Sequence, residues 1–211
     1  MPSTTVRHPI FARLYDKLSV VAEAAGSREH RTELLAGLSG RVIEIGAGTG
    51  LNFAHYPSEV SEVVAVEPEP HLRAKAAEAA TSATVAITVI DATASELPHE
   101  DATFDAAVYS LVLCSVADPA EALAETHRVV KPGGELRFYE HVKADTPRLA
   151  AVQRRLDHVW PLFAGGCHTA RDTSQAIVDA GFDIESERRF RFEPTLLAKP
   201  VAPHIIGTAR R

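Results

Sequence analysis

Apolar positions fall at helical spacing between Ile10 and Ala25, at Phe11, Leu14, Leu18, Val21 and Ala25, which predicts an amphipathic helix. Gly26-Ser27 breaks it, and a second helix follows to about residue 38. The period then changes. Arg41-Val42-Ile43-Glu44-Ile45 is a β-branched run that ends in glycines, the pattern of a buried strand entering a tight turn. Residues 63–66, 85–90, 104–111 and 135–142 read as the second to fifth strands. Residues 70–83 are alanine-rich and helical. Residues 119–130 form a helix with Asp118 as N-cap and Pro119 in its first position, ended by Lys131-Pro132-Gly133-Gly134. Strands alternating with helices give right-handed crossovers and an α/β fold, a Rossmann-like doubly wound and mostly parallel sheet.

The alternation lapses over residues 143–171. A helix is expected over roughly 148–159, then an irregular loop holding Trp160, Phe163, Gly165-Gly166, Cys167 and His168. A helix over 173–180 stops at Gly181, and residues 182–190 and 204–210 read as the final strands. No repeat or linker divides the 211 residues, so one domain is expected. Residues 1–39 supply its N-terminal helices, and Phe11, Leu14 and Tyr15 are placed either to lid a pocket or to pack on the sheet edge. Residues 143–171 are a substrate-side insertion.

Charge narrows the partners. The net charge of −6 opposes a nucleic-acid role, and the pairs Arg154-Arg155 and Arg188-Arg189 read as solvated surface. No apolar run is long enough for a signal peptide or a transmembrane segment, although peripheral membrane contact stays open. Two cysteines, Cys114 and Cys167, do not make a disulfide framework, which points to a cytoplasmic protein. Neither lies in a C-x-x-C or H-E-x-x-H pattern, so no metal is expected. The sequence leaves the oligomeric state open.

The candidate chemistry begins at Glu44-Ile45-Gly46-Ala47-Gly48-Thr49-Gly50. Glycines after a first strand let backbone approach a ligand closely, and the helix expected next would offer free N–H groups. The spacing is G-x-G-x-G. A dinucleotide fingerprint would need glycine where Leu51 stands, and no P-loop lysine follows. A nucleoside with an amino-acid tail fits better than a pyrophosphate. Glu67, at the end of the second strand, can accept from both ribose hydroxyls and would repel a 2′-phosphate. Asp91, closing the third strand, can accept from an adenine amino group while the Ala92 N–H donates to the ring. The bland readings are a solvated acid for Glu67 and a turn aspartate for Asp91.

The order of E-x-G-x-G-x-G, Glu67, Asp91 and K-P-G-G resembles class I S-adenosylmethionine (SAM)-dependent methyltransferases, over roughly Gly40 to Arg211. The resemblance implies a seven-stranded sheet with the last strand antiparallel. It places Gly46, Ala47, Gly48 and Gly50 around the methionine part of SAM, Glu67 and Pro68 at the ribose, and Asp91 with Ala92 at the adenine. Glu44 either touches the cofactor or organises the loop. The stretch that begins Ser110-Leu111 should lie over the transferable methyl group. Within that family, Leu111-Val112-Leu113-Cys114-Ser115-Val116, Glu140-His141-Val142 and Pro203-His204-Ile205 with Gly207 look like the small-thiol S-methyltransferase branch. Animal members of that branch carry an apolar N-terminal anchor, which this sequence lacks.

A methyl acceptor that is a thiol needs modest help to become a thiolate. His141 is the first candidate for that help and His168 the second; each has a structural alternative. Cys114, Trp160, Cys167 and His204 are candidate acceptor-side residues, with inert packing as the competing role. The expected reaction is S-methylation of a small acceptor. The alternatives are a quinone-precursor ring carbon, a phospholipid or small-molecule amine, or a SAM-binding module without catalysis.

Overall fold

Period-two alternation builds a sheet that is buried on both faces. The structure, a computed structural model, describes Ser19 and residues 21–211. Phe11, Leu14, Tyr15 and Leu18, with the lid assigned to their helix, lie outside the described residues. The strands are β1 (Gly40–Ile45), β2 (Val60–Val66), β3 (Ile87–Ile90), β4 (Phe104–Ser110), β5 (Val130–His141), β6 (Asp183–Arg191) and β7 (Pro203–Arg210). They form one sheet in the order β3-β2-β1-β4-β5-β7-β6. The first five are parallel, and β7 is antiparallel to both β5 and β6, as the family resemblance implied.

The helices are α1 (Arg28–Leu35), α2 (Pro70–Ala80), α3 (Pro119–Val129), α4 (Pro147–Leu156), α5 (Trp160–Phe163) and α6 (Thr173–Asp179). Alternate strand residues feed two cores. Ile43, Ala107, Tyr109, Leu136 and Phe138 pack with Leu123 of α3 and Ile177 of α6. Val42, Ala106, Val108 and Tyr139 pack on the other face with Leu34 and Leu35 of α1 and Ala76 of α2. Each large side chain fully buried this way contributes about 1.5–3 kcal/mol. Helix starts follow the caps. Asp118 accepts from the N–H of Ala120 at 2.8 Å, and Glu69 accepts from that of Leu72 at 2.9 Å.

Four local expectations change. Gly26, at φ +121°, kinks wide helical turns that run on into α1 instead of ending a helix. α2 stops at Ala80 because the Thr81 and Ser82 hydroxyls donate back to the carbonyls of Glu78 and Ala79. Lys131-Pro132-Gly133-Gly134 is an irregularity inside β5, whose pairing with β4 jumps from Val130 to Glu135. The stretch after residue 159 contains the short helix α5.

The arginine pairs lie on the surface as expected: Arg154 and Arg155 are exposed, and Arg188 and Arg189 form ion pairs with Glu33 and Asp145. Among the described residues, no helix is long and apolar enough to cross a membrane.

Gly207 marks where β7 is squeezed hardest. A Cβ there would sit 2.2 Å from the Ser186 carbonyl oxygen and 2.6 Å from the Phe138 ring. Gly207→Ala should therefore destabilise the fold by about 1–3 kcal/mol, the usual cost of overpacking, read as a lower urea midpoint. An unchanged midpoint would show that β6 yields freely at this point.

Candidate active site

The glycine loop leaves β1 with its N–H groups turned inward. Gly46 and Ala47 both donate to the Val66 carbonyl, at 2.8 and 3.0 Å, and Gly50 donates to Ala47 at 2.9 Å. Gly48 donates to the Glu67 carboxylate at 2.8 Å. The helix expected next is a single 3₁₀ turn, Phe53–His55, because few residues separate the loop from β2 and Asn52 is held sideways. The expected row of free N–H donors is thus replaced by committed ones. A loop of this kind has no cradle for a pyrophosphate. Gly46 is at φ +70°, and a Cβ there would strike Val112 at 2.5 Å, so only glycine lets this loop pack against the segment after β4.

Three buried carboxylates organise the carboxyl ends of the strands. Glu44, at the end of β1, accepts from Asn52 Nδ2 at 2.8 Å and from the Tyr56 hydroxyl at 2.7 Å. Asn52 Oδ1 in turn accepts from Arg31 at 2.9 Å, and Arg31 also donates to Ser110 Oγ at 3.2 Å. Burial pushes the Glu44 carboxyl up to about 7, against its hydrogen bonds and the Arg31 charge. Both Glu44 oxygens face loop side chains. The Ser110 hydroxyl is likewise engaged by Arg31.

Glu67 follows β2 and is 5% exposed. Its oxygens accept from Gly48 N–H at 2.8 Å and Glu69 N–H at 2.9 Å. Burial raises its pKa to about 7, opposed by those two N–H groups. A carboxylate offers about four acceptor sites, so two remain for a pair of hydroxyls. Beside it, Arg73 donates to the carbonyls of Glu67 and Pro68 and pairs with Asp91 at 2.9 Å. Asp91 is exposed at the end of β3, and Ala92 packs on the core.

Glu140, on β5, is fully buried. It accepts from the N–H groups of Val112, Leu113 and Cys114 at 2.8, 2.9 and 3.1 Å. Burial raises its pKa, and the same three donors oppose that shift. The segment it grips begins at Leu111, which is at φ +62°. Cys114 is thereby held over His141, the last residue of β5. Cys114 Sγ and Cys167 Sγ lie 3.5 and 3.6 Å from the same His141 Nδ1.

Both sulfurs are buried, and Trp160 packs on them. The Cys167 thiol is pushed down by the hydrogen bond from Cys114, with burial opposing and His141 assisting. Cys114 is pushed up by the same bond and by burial.

His168 stands apart from this group. Its Nδ1 meets Asp157 at 2.8 Å, and its backbone N–H donates to the Cys114 carbonyl at 2.7 Å. His204 is buried behind His141, with ring centroids 4.6 Å apart and its Nδ1 on the Ala202 carbonyl at 2.8 Å. Burial, then the neighbouring His141, lowers its pKa to about 2. The sequence reading missed Arg31, Asn52, Tyr56, Arg73 and Glu140 as site-builders. Glu140 had one available signal, an acid directly after the aromatic pair Phe138-Tyr139.

The arrangement can hold a nucleoside beside Glu67 and Asp91 and an acceptor beside the two sulfurs, with the Gly46–Val112 contact between them. Comparisons with known proteins give the family. The family described as "Methyltransferase domain" matches residues 43–138. A thiol S-methyltransferase of Rattus norvegicus is 36% identical over 184 residues, 83% of this chain and 73% of that protein. A second human thiol S-methyltransferase is 33% identical over 180 residues, 82% of this chain and 72% of that protein. A solved SAM-dependent methyltransferase of Thermotoga maritima superposes with a TM-score of 0.71 at 23% identity, covering 95% of this chain and 96% of that one. A buried acid at the second strand, a loop without a phosphate cradle and this kinship agree with one another: the chain belongs to the SAM-dependent methyltransferases, among the relatives of the thiol S-methyltransferases.

Proposed function

We propose that the chain methylates a small thiol, and that the observation carrying this is the pair of buried sulfurs converging on His141 beside the cofactor crevice. SAM supplies a methyl group made electrophilic by its sulfonium centre. The chain supplies position. Glu67 accepts from the ribose hydroxyls, Asp91 and the Ala92 N–H receive the adenine, and Pro68 lies under the sugar. The loop from Gly46 to Gly50 borders the cationic end, with the N–H groups of Gly46, Ala47, Gly48 and Gly50 bonded elsewhere. Leu111 and Val112 close the wall nearest the methyl group.

Alignment of a sulfur nucleophile with that methyl group supplies much of the acceleration, because in-line displacement depends on geometry. His141 touches the acceptor-side sulfurs and is the residue that assists the acceptor; Trp160 gives the acceptor an apolar wall. His168, tied to Asp157, and His204, packed at a tilt behind His141, fix that geometry from outside.

Three outcomes test this reading. With labelled SAM and a panel of small thiols, amines and enolate-forming ring carbons, the purified chain should methylate thiols fastest; methylation of amines or ring carbons but no thiol would overturn the substrate class. His141→Ala should lower turnover by about 10²-fold or more while S-adenosylhomocysteine affinity stays nearly constant. An equal loss in both would make His141 structural.

Glu67 gives the third test. Its ionised form accepts ribose hydroxyls, and burial holds its pKa near 7 among Gly48 N–H, Glu69, Arg73 and Glu44. Cofactor affinity should therefore be full above pH about 7 and fall as the pH drops below it, by up to about tenfold per unit. Glu67→Gln should weaken S-adenosylhomocysteine at pH 8 by about tenfold or more and flatten that slope, measured by calorimetry. A variant that binds as tightly with the same slope would remove Glu67 from the ribose.

A further inference from the structure

Cys114, His141 and Cys167 come from three separate segments: the loop after β4, the end of β5 and the turn after α5. Each is fixed by backbone. Cys114 N–H is held by Glu140 at 3.1 Å, its carbonyl accepts from His168 N–H at 2.7 Å, and Cys167 N–H donates to Ala164 at 3.0 Å. Gly166 lets the two segments close, since a Cβ there would lie 2.8 Å from the Ser115 carbonyl oxygen. The result is three soft or borderline donor atoms, all within 4.8 Å of one another.

Two thiols converge on one imidazole nitrogen, at 3.5 and 3.6 Å. An sp² ring nitrogen has one in-plane lone pair or one proton, so it can complete one such hydrogen bond well, not two. An ion at the centre would satisfy all three atoms. Zinc bonds sulfur at about 2.3 Å and imidazole nitrogen at about 2.0 Å, and tetrahedral angles then set each S···N edge at about 3.5 Å. Those are the spacings present. We propose that Cys114 Sγ, His141 Nδ1 and Cys167 Sγ bind one thiophilic divalent cation, zinc foremost, with a fourth position open to the acceptor sulfur.

The surroundings suit this ion. Three protein ligands with one open position is the catalytic form of a zinc site, and thiolate with imidazole selects zinc over hard cations. Two thiolates balance the dication, and an acceptor thiolate brings the site to one negative charge, facing Arg171, whose charge bears on both sulfurs. Trp160 Nε1–H is buried without a full hydrogen-bond partner among the described residues, and it bears on Cys167 Sγ as an outer donor to a metal thiolate would. A sequence scan for C-x-x-C cannot find such a site, because no two of its ligands are neighbours in the chain.

The ion site stands on its own geometry; its role as acceptor anchor rests on the thiol reading above. There, the acceptor R–SH loses its proton to water as its sulfur joins the ion. That sulfur's electron pair forms the new bond to the methyl carbon as the carbon–sulfonium bond breaks, its pair staying on the departing sulfur. The neutral thioether is a poor ligand and leaves.

The test is titration of the reduced, chelator-treated full chain with Co²⁺ and then Zn²⁺. The expected result is one Co²⁺ per chain, with thiolate-to-cobalt charge-transfer absorption and intense tetrahedral bands, displaced by one Zn²⁺. Cys167→Ser and His141→Ala should each weaken binding by more than about 100-fold, since losing a direct ligand exceeds the loss of an outer one. Thermal stabilisation by S-adenosylhomocysteine should persist in both variants, showing them folded. Absence of these bands in the wild-type chain, or bands undiminished in the variants, would overturn the site. If the wild-type chain binds cobalt and methylates thiols equally fast with and without bound zinc, the anchoring role is overturned and the thiol reading survives. If it binds one ion and methylates no thiol, the thiol reading fails together with the anchor while the ion site stands.

Discussion

Three carboxylates buried at one end of one sheet set the form of this molecule. A carboxylate removed from water without partners is costly enough to change protonation state or disrupt the fold. Glu44, Glu67 and Glu140 avoid that cost by accepting from the loops that cross above them. The dependence is mutual. The loops sink Phe53 and Leu113 into the cores, and their orphan N–H groups need acceptors there. Each acid therefore fixes one loop: Glu44 the turn through Asn52 and Tyr56, Glu67 the glycine loop and the start of α2, Glu140 the segment from Val112 to Cys114. Burial raises the pKa of all three, and the donors that grip them oppose that shift.

This constraint explains why the glycine loop differs from a phosphate cradle. Its N–H groups at Gly46, Ala47, Gly48 and Gly50 are already taken by Val66, Glu67 and Ala47. A pyrophosphate would meet negative charge at Glu67 and find these four donors already engaged. The discrimination between SAM and a dinucleotide thus lies in the direction of the backbone as much as in the residue at Leu51.

The strands and the candidate cofactor acids were legible because their signals are local. β1 and β2 carry short β-branched apolar stretches, Asp118-Pro119 opens a helix by itself, and Glu67 and Asp91 stand where strands end. The helix after the glycine loop was misread because Gly-rich turns commonly lead into one; here the Asn52 side chain serves Glu44 and the chain turns at once into β2. The scaffold residues Arg31 and Glu140 were missed for another reason. Their partners are distant in sequence: Arg31 reaches Ser110, and Glu140 reaches back to Val112. His168 ranked second to His141 on paper, and its pairing with Asp157 depends on a fold contact that the sequence does not display.

The two halves of the crevice are built by different means, and this bears on how acceptor choice can vary. The cofactor half hangs on strand ends whose positions the sheet dictates, so changing it disturbs β1 to β3. The acceptor half is assembled from Cys114, His141 and Cys167 on three separate segments, joined to the rest through the Gly46–Val112 contact and the Glu140 carboxylate. The residues from Pro147 to Gly166 can therefore be exchanged without moving the glycine loop, provided Glu140 keeps its three donors. A scaffold divided in this way can hold one methyl donor while the segments that carry Cys114 and Cys167 vary around it.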